Sequence, residues 1–294
     1  MSLKVAIQGI ESSFHHLAVQ KFFPAEEVTL LTCNSFEKVA NTVSNASADY
    51  GVMAIENTIV GSILPNYGLI DTGRFEILAE TVLNIQMYVM ALEGESIHDI
   101  KEIHSHPVAL LQCREYLQKF PPQFKVIEGK DTASEAKRIK DQNLKGVAAI
   151  AGKQVSENFG LKILDSNIQD IKENHTRFVL LGRTDKHTPR VADKASIKFV
   201  LEHNVGSLGN VLNLLTTCNM NLTKIQSLPI IGKPWQYAFF VDVVFEDQDF
   251  FYEVMEMLKK TVGELNILGV YSQEARPAEV QYSKRSNVIL NGKH

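Results

Sequence analysis

From the start of the chain to about residue 185, short apolar runs alternate with stretches of helical periodicity. Such alternation confines a chain to stacked βαβ units. The pattern predicts strands at residues 4–8, 27–31, 50–55, 75–80, 84–91, 102–104, 124–127, 146–150 and 177–181, with helices after Ser12, Ser35, Gly61, Pro107, Thr132 and Gly152. The pair 75–80 and 84–91 reads as a crossover into a second sheet, and the last strand as a return to the first. That gives an α/β region over 1–185 with two lobes, one of 1–78 plus 172–185 and one of 79–171, and a cleft suited to a small polar ligand. Residues 184–194 are polar and charged, a linker. A second unit at 195–275 reads strand 196–202, a helix carrying Leu208, Val211, Leu212 and Leu215, strands 222–228 and 236–245, helix 250–260 and strand 265–271. This is β-α-β-β-α-β, the ferredoxin-like order. Residues 276–294 read as a tail.

Composition enters by exclusion. A net charge of -4 gives no reason to expect nucleic acid or an anionic membrane as partner. No apolar run approaches the ~20 residues of a membrane span, and the chain opens on a strand without a signal segment. Cys33, Cys113 and Cys218 are scattered in apolar patterns, as reduced core thiols of a cytoplasmic protein would be.

Candidate working residues gather where predicted strands end. In Asn174-His175-Thr176-Arg177-Phe178 a hydroxyl, a guanidinium and an aromatic lie where a polar connection (Leu164–Asp170) enters an apolar strand. Arg177 offers a fork that matches a carboxylate, although an ordinary ion pair accounts for it equally. Ser12 and Ser13, after Gly9, open a helix whose free amides suit a carboxylate, and both also fit simple capping. Ile55-Glu56-Asn57-Thr58 places a carboxylate and an amide at the carboxyl edge of the sheet, where ligands of α/β folds bind, or forms an ordinary turn. Ser105-His106-Pro107 starts a helix that carries Gln112 a turn and a half on, and Thr132 is a donor or a cap. His104 and His106 lack the further ligands a metal would need.

Taken together these motifs resemble prephenate dehydratase: Gly-x-x-x-Ser-Phe near the start, Ile55-Glu56-Asn57-Thr58, Ser105-His106-Pro107, Ala148-Ala149-Ile150 and Thr176-Arg177-Phe178. The second unit resembles that family's ACT regulatory domain through Gly206-Ser207-Leu208 and Asn221-Leu222-Thr223-Lys224-Ile225-Gln226-Ser227-Leu228-Pro229. The resemblance implies a catalytic region of periplasmic-binding-protein type that converts prephenate to phenylpyruvate, water and carbon dioxide without metal or cofactor. It carries Thr176, Glu56, Asn57, Ser105 and Gln112 over as catalytic. Arg177, Phe178, Ser12, Ser13 and Thr132 are carried over as substrate-binding, with Arg177 holding the pyruvyl carboxylate and water or a protonated Glu56 supplying the final proton. Phenylalanine is the implied effector, at Gly206, Ser207, Leu208, Asn221, Leu222, Gln226, Ser227 and Leu228.

The chain also departs from the pattern. Ser12 stands where the family has a second glycine, His15 where it has serine, Ala54 for proline and Val108 for glutamine. Gln226 and Leu228 replace both charges of the family's Glu-Ser-Arg-Pro, so an ACT unit that only pairs subunits is an alternative. A dimer or tetramer is expected. Two other functions remain open: arogenate as substrate, and a non-catalytic sensor of amino or keto acids. A fused chorismate mutase is not expected, since the first strand begins at once.

Overall fold

The computed structural model describes residues 2–73, 75–183, 192–202, 204–230, 232–233 and 236–274. Two compact units result, Met1–Glu76 with Leu83–His187 and Ile77–Val82 with Thr188–His294. Most of the expected linker, His203 and the tail 276–294 lie outside the described residues.

In chain order the first unit contains β1 (Leu3–Gln8), α1 (Phe14–Phe22), β2 (Val28–Cys33), α2 (Phe36–Ser44), β3 (Tyr50–Asn57), β4 (Gly61–Ser62) and α3 (Leu64–Thr72). Then come β5 (Glu76–Asn84), β6 (Tyr88–Ala91), β7 (Glu102–Ser105), α4 (Pro107–Gln112), α5 (Arg114–Leu117), β8 (Lys125–Glu128) and α6 (Thr132–Asp141). It closes with β9 (Val147–Ala151), α7 (Lys153–Phe159), β10 (Lys162–Ser166) and β11 (His175–Gly182). The ends of β5 belong to this unit and its middle to the other.

One sheet runs β2-β1-β3-β11, with β4 against β3. Its β1 pairs are parallel and β11 returns antiparallel to β3. A second sheet runs β10-β6-β9-β7-β8. Parallel strands are covered on both faces and so carry unbroken apolar runs; Val5, Ala6 and Ile7 in β1 and Ala148 to Ala151 in β9 are fully buried. Ser13, Ser35 and Asp131 cap α1, α2 and α6 through their side chains.

Three expectations need correcting. The break expected after Glu80 is absent, and β5 continues to Asn84, because Thr81-Val82-Leu83 favours a strand and offers no turn residue. The real break is at residues 85–87, where the Ile85 and Met87 amides donate to the Asn174 carbonyl and to Gln169 Oε1. The connection at Leu164–Asp170 is partly β10, an edge strand with a bulge, too exposed to show an apolar signal. Lys194, expected in the linker, is the first residue of a strand.

That strand opens the second unit: β12 (Lys194–Val200), α8 (Ser207–Thr217), β13 (Asn221–Pro229), β14 (Tyr237–Val244), α9 (Gln248–Lys259) and β15 (Glu264–Tyr271). The sheet is antiparallel in the order β13-β14-β12-β15. Alternation along β12 divides its side chains between two faces. Ala195, Ile197 and Phe199 join Val211 and Leu215 of α8 and Phe251, Val254 and Leu258 of α9 in one core. Ser196 and Lys194 take the other face. Ser196 bonds Asp242 and Tyr271, each at 2.6 Å. Lys194 Nζ lies 2.9 Å from both oxygens of Glu80, and the pair is almost wholly buried. Residues 77–82 therefore fasten onto this unit. The Val82 amide donates to Glu274 at 2.6 Å, and a Cβ on Gly269 would meet the Ile77 carbonyl oxygen at 2.2 Å, so only glycine fits.

Breaking a buried ion pair strands one charge. Glu80→Ala should lower unfolding free energy by about 3–5 kcal/mol in urea titration. Glu80→Leu with Lys194→Met should recover most of that loss.

Candidate active site

The working side chains are placed by one irregularity. Thr176 pairs with Asn57 and Arg177 with Glu56, but Phe178 pairs with Ala54, so Ile55 is an extra residue in β3. A bulge of this kind re-aims side chains. Asn57 and Ala54, three apart, both reach the cleft, as do Thr176 and Phe178, two apart. Neighbours in a strand point to opposite faces. Arg177 and Glu56 therefore face away from the cleft and pair with each other, Nη1 to Oε2 3.6 Å.

The cleft holds about 300 Å³. Gln8, Gly9, Ser13, Phe14 and His15 line it from β1 and the start of α1, and Phe36, Val60 and Ile63 also come from the part of the unit that carries the first sheet. Ile85 and Met87, His106, Val108, Ala109 and Gln112 at α4, and Asp131 and Thr132 at α6 complete it. None of these lining residues is Lys or Arg.

An amide network joins the two parts. Asn57 Nδ2 donates to Thr176 Oγ1 at 2.9 Å and to Asn174 Oδ1 at 2.7 Å. Asn174 Nδ2 donates to Gln112 Oε1 at 3.0 Å, and Gln112 Nε2 approaches Asn57 Oδ1 at 3.4 Å. The backbone amides of Ile59 and Val60 donate to that same Oδ1. Thr176 accepts from Asn57, so its own proton is left for a ligand in the cleft.

At α1, Ser13 Oγ takes the His16 amide. The Phe14 and His15 amides, at the first two helical positions, have no acceptor among the described residues. They and the positive end of the helix offer an anion two neutral donors. Ser12 is held in the left-handed region, φ 67, which explains why glycine suits this position. It donates its amide to His16 Nδ1 and accepts from Asn158, and it does not line the cleft.

Of the expected site residues, Thr176, Asn57, Gln112, Phe178, Ser13 and Thr132 meet at the cleft. Glu56 and Arg177 do not, for the reason given. Ser105 does not either: fully buried, it donates to the Ile150 carbonyl at 2.6 Å and ties β7 to β9. His104 lies against Glu102, Glu135 and Arg138, and His106 accepts from the Val108 amide.

Two residues were not among the expected catalytic or binding residues, although His15, with Ser12, was expected to reshape the carboxylate pocket. Asn174 belonged to the motif stretch, but its amide partners lie far off in the chain. His15 showed as a departure. Its ring meets Phe178 edge-on at 5.1 Å and Phe36 at 5.4 Å, and its Nε2 is enclosed without a partner among the described residues. Burial pushes its pKa down to about 4. The unfolded chain then binds this proton more readily than the folded one, so stability is intact above about pH 6.5 and declines as pH falls towards 4. Urea titration should show a loss of about 2 kcal/mol between pH 7 and 4.5 that His15→Phe removes.

Residues 5–186 match the family described as PDT: Prephenate dehydratase. The bifunctional chorismate mutase/prephenate dehydratase of Aquifex aeolicus (strain VF5) is 32% identical over 270 residues, 92% of this chain and 73% of that one. Arogenate dehydratase 2 of Petunia hybrida is 36% identical over 234 residues, 78% of this chain and 57% of the relative. The crystal structure of the prephenate dehydratase from Staphylococcus aureus subsp. aureus Mu50 is similar at a TM-score of 0.78 and 25% identity, over 92% of this chain and 100% of that one. The chain belongs to the prephenate dehydratase family.

Proposed function

We propose that the cleft converts prephenate to phenylpyruvate, water and carbon dioxide, a decarboxylating dehydration in phenylalanine biosynthesis. The observation that carries this reading is the Thr176 hydroxyl, which accepts from Asn57 and keeps its proton for the cleft. Prephenate bears a hydroxyl across its ring from the carbon that carries the ring carboxylate and the pyruvyl group. Thr176 donates to the departing hydroxyl. The bond from the ring to that oxygen and the bond from the ring to its carboxylate break, one proton is taken up, and the ring becomes aromatic.

A threonine hydroxyl is too weak an acid to supply that proton by itself, and water is the source we assign. Glu56 is set aside because its carboxylate lies with Arg177 outside the cleft. The amides of Phe14 and His15 take the pyruvyl carboxylate in place of Arg177, with Thr132 at the start of α6 as a further donor. Gln112 and Asn57 hold the geometry, and Phe178 walls the ring. Neutral donors suit this chemistry, because a cation on the ring carboxylate would oppose its loss as carbon dioxide.

The arogenate reading is favoured by the relative from Petunia hybrida. Against it, the first turn of α1 carries no acidic residue to meet an ammonium group, and the Asp131 oxygens are taken by Ser134.

The two lobes are read as a periplasmic-binding-protein-like pair, and residues 195–275 as an ACT domain, supported by the β-α-β-β-α-β order. Gly206, Ser207 and Leu208 begin α8, while Asn221, Leu222, Gln226, Ser227 and Leu228 lie along β13, an edge strand open to pairing with a second copy. A homodimer or homotetramer follows from that reading. The free thiols of all three cysteines support a cytoplasmic setting.

Steady-state turnover of prephenate and arogenate, read as phenylpyruvate and phenylalanine, tests the proposal. Prephenate should be the better substrate, and Thr176→Ala should lower kcat by about 100-fold or more. Turnover of neither compound would overturn it. Added phenylalanine should leave the rate unchanged, since Gln226 and Leu228 carry no charge for the effector.

A further inference from the structure

We infer that Asn174 is a positioning residue, which fixes the direction in which Thr176 offers its proton and ties that direction to Gln112 on α4. The inference rests on the reading of Thr176 as donor to the leaving hydroxyl. Asn174 is wholly buried and does not line the cleft, so it acts through other side chains.

An amide side chain accepts at one end and donates at the other, and its partners decide which end is which. Here the decision comes from the backbone. The amides of Ile59 and Val60 can only donate, so the Asn57 oxygen must face them. Asn57 then turns two protons inward, where Asn174 Oδ1, Thr176 Oγ1 and, at 3.3 Å, the His175 carbonyl compete for them. Asn174 takes one at 2.7 Å and leaves the other to Thr176. Having received through its oxygen, Asn174 must present nitrogen to Gln112 Oε1. Its own carbonyl is held by the amide of Ile85, a cleft residue, at 2.6 Å. With every end assigned, Thr176 cannot donate back to Asn57.

Asn174→Asp tests this through its pH profile. When protonated, the new carboxyl accepts with one oxygen and donates with the other, as the amide does. When ionised it only accepts, and it faces the Gln112 oxygen. The ratio of variant to wild-type kcat should therefore be near one at acid pH and fall by about 100-fold as pH rises, with KM little changed. His15, His106 and Asp131, the ionisable side chains that line the cleft, are common to both proteins, so their effects cancel in the ratio. A flat ratio between about pH 5 and 9, or KM rising in step with the loss of kcat, would overturn the inference. Asn174→Ala supplies a second arm if the first variant fails to fold. Added to Thr176→Ala it should cost no further kcat, whereas a further multiplicative loss would show that Asn174 does not act through Thr176. A wild type without turnover would instead remove the reading beneath both arms.

Discussion

Between Thr176 and Phe178, β11 advances two residues while its partner β3 advances three, from Asn57 to Ala54. The displaced residue, Ile55, goes into the core without exposed surface. Had the ladder run regularly, Phe178 would have faced Ile55, and Ala54 and Asn57, three apart, would have fallen on opposite faces. The bulge lets an apolar strand in the centre of a sheet end in a polar amide at the cleft. It also leaves Glu56 and Arg177 on the far face, half-exposed and nearly buried, as each other's partner.

The electrostatics of the cleft follow from that division. The guanidinium nearest in sequence to Thr176 is turned away, so an anion in the cleft would meet backbone amides, a half-buried histidine whose pKa is lowered, and side-chain amides. A helix end attracts a carboxylate with partial charges worth roughly 0.3–1 kcal/mol where solvent reaches, and more where it does not. The helix end would hold the carboxylate that is kept, while the ring carboxylate, which must leave as a neutral gas, would meet no Lys or Arg among the lining residues. His15 fits the same scheme, since a protonated ring there would restore the cation that the bulge removed. Its neutrality comes from desolvation between the aromatic rings of Phe36 and Phe178.

Much of this was legible in the sequence. The strand ends that carry Asn57 and Thr176 stood out because an apolar run stopped at a polar motif, and Gln112 followed from helical spacing after Pro107. Facing was not legible. Period two assigns Thr176 and Arg177 to opposite faces, but only pairing reveals which face is the cleft, and a bulge leaves no mark in a run such as Met53-Ala54-Ile55. The Ile150 partner of Ser105 was hidden for a related reason, as a hydroxyl at a strand end serves a ligand or a neighbouring carbonyl with equal ease. Asn174 is joined to Asn57 and Gln112 across 117 and 62 positions, a separation no local pattern can express. The edge strand β10 was hidden by its solvent exposure.

The place of residues 77–82 within the second unit was the hardest feature to read. Residues 77–82 sit in an apolar strand pattern that any α/β sheet would accept, and Glu80 looks like the polar position that ends it. Only the second unit gives Glu80 its meaning. Along β12, Lys194, Ser196 and Lys198 alternate with core residues, which in sequence describes a strand with one wet face. In the structure that face is largely dry: Lys194 and Lys198 are paired with Glu80 and Glu264, and the Ser196 hydroxyl donates to Asp242. A buried ion pair contributes little net stability over an apolar pair of the same shape, but it tolerates few alternative partners. Glu80 and Lys194 thus give residues 77–82 a specific polar anchor within the second unit, beside apolar contacts that carry no such selectivity.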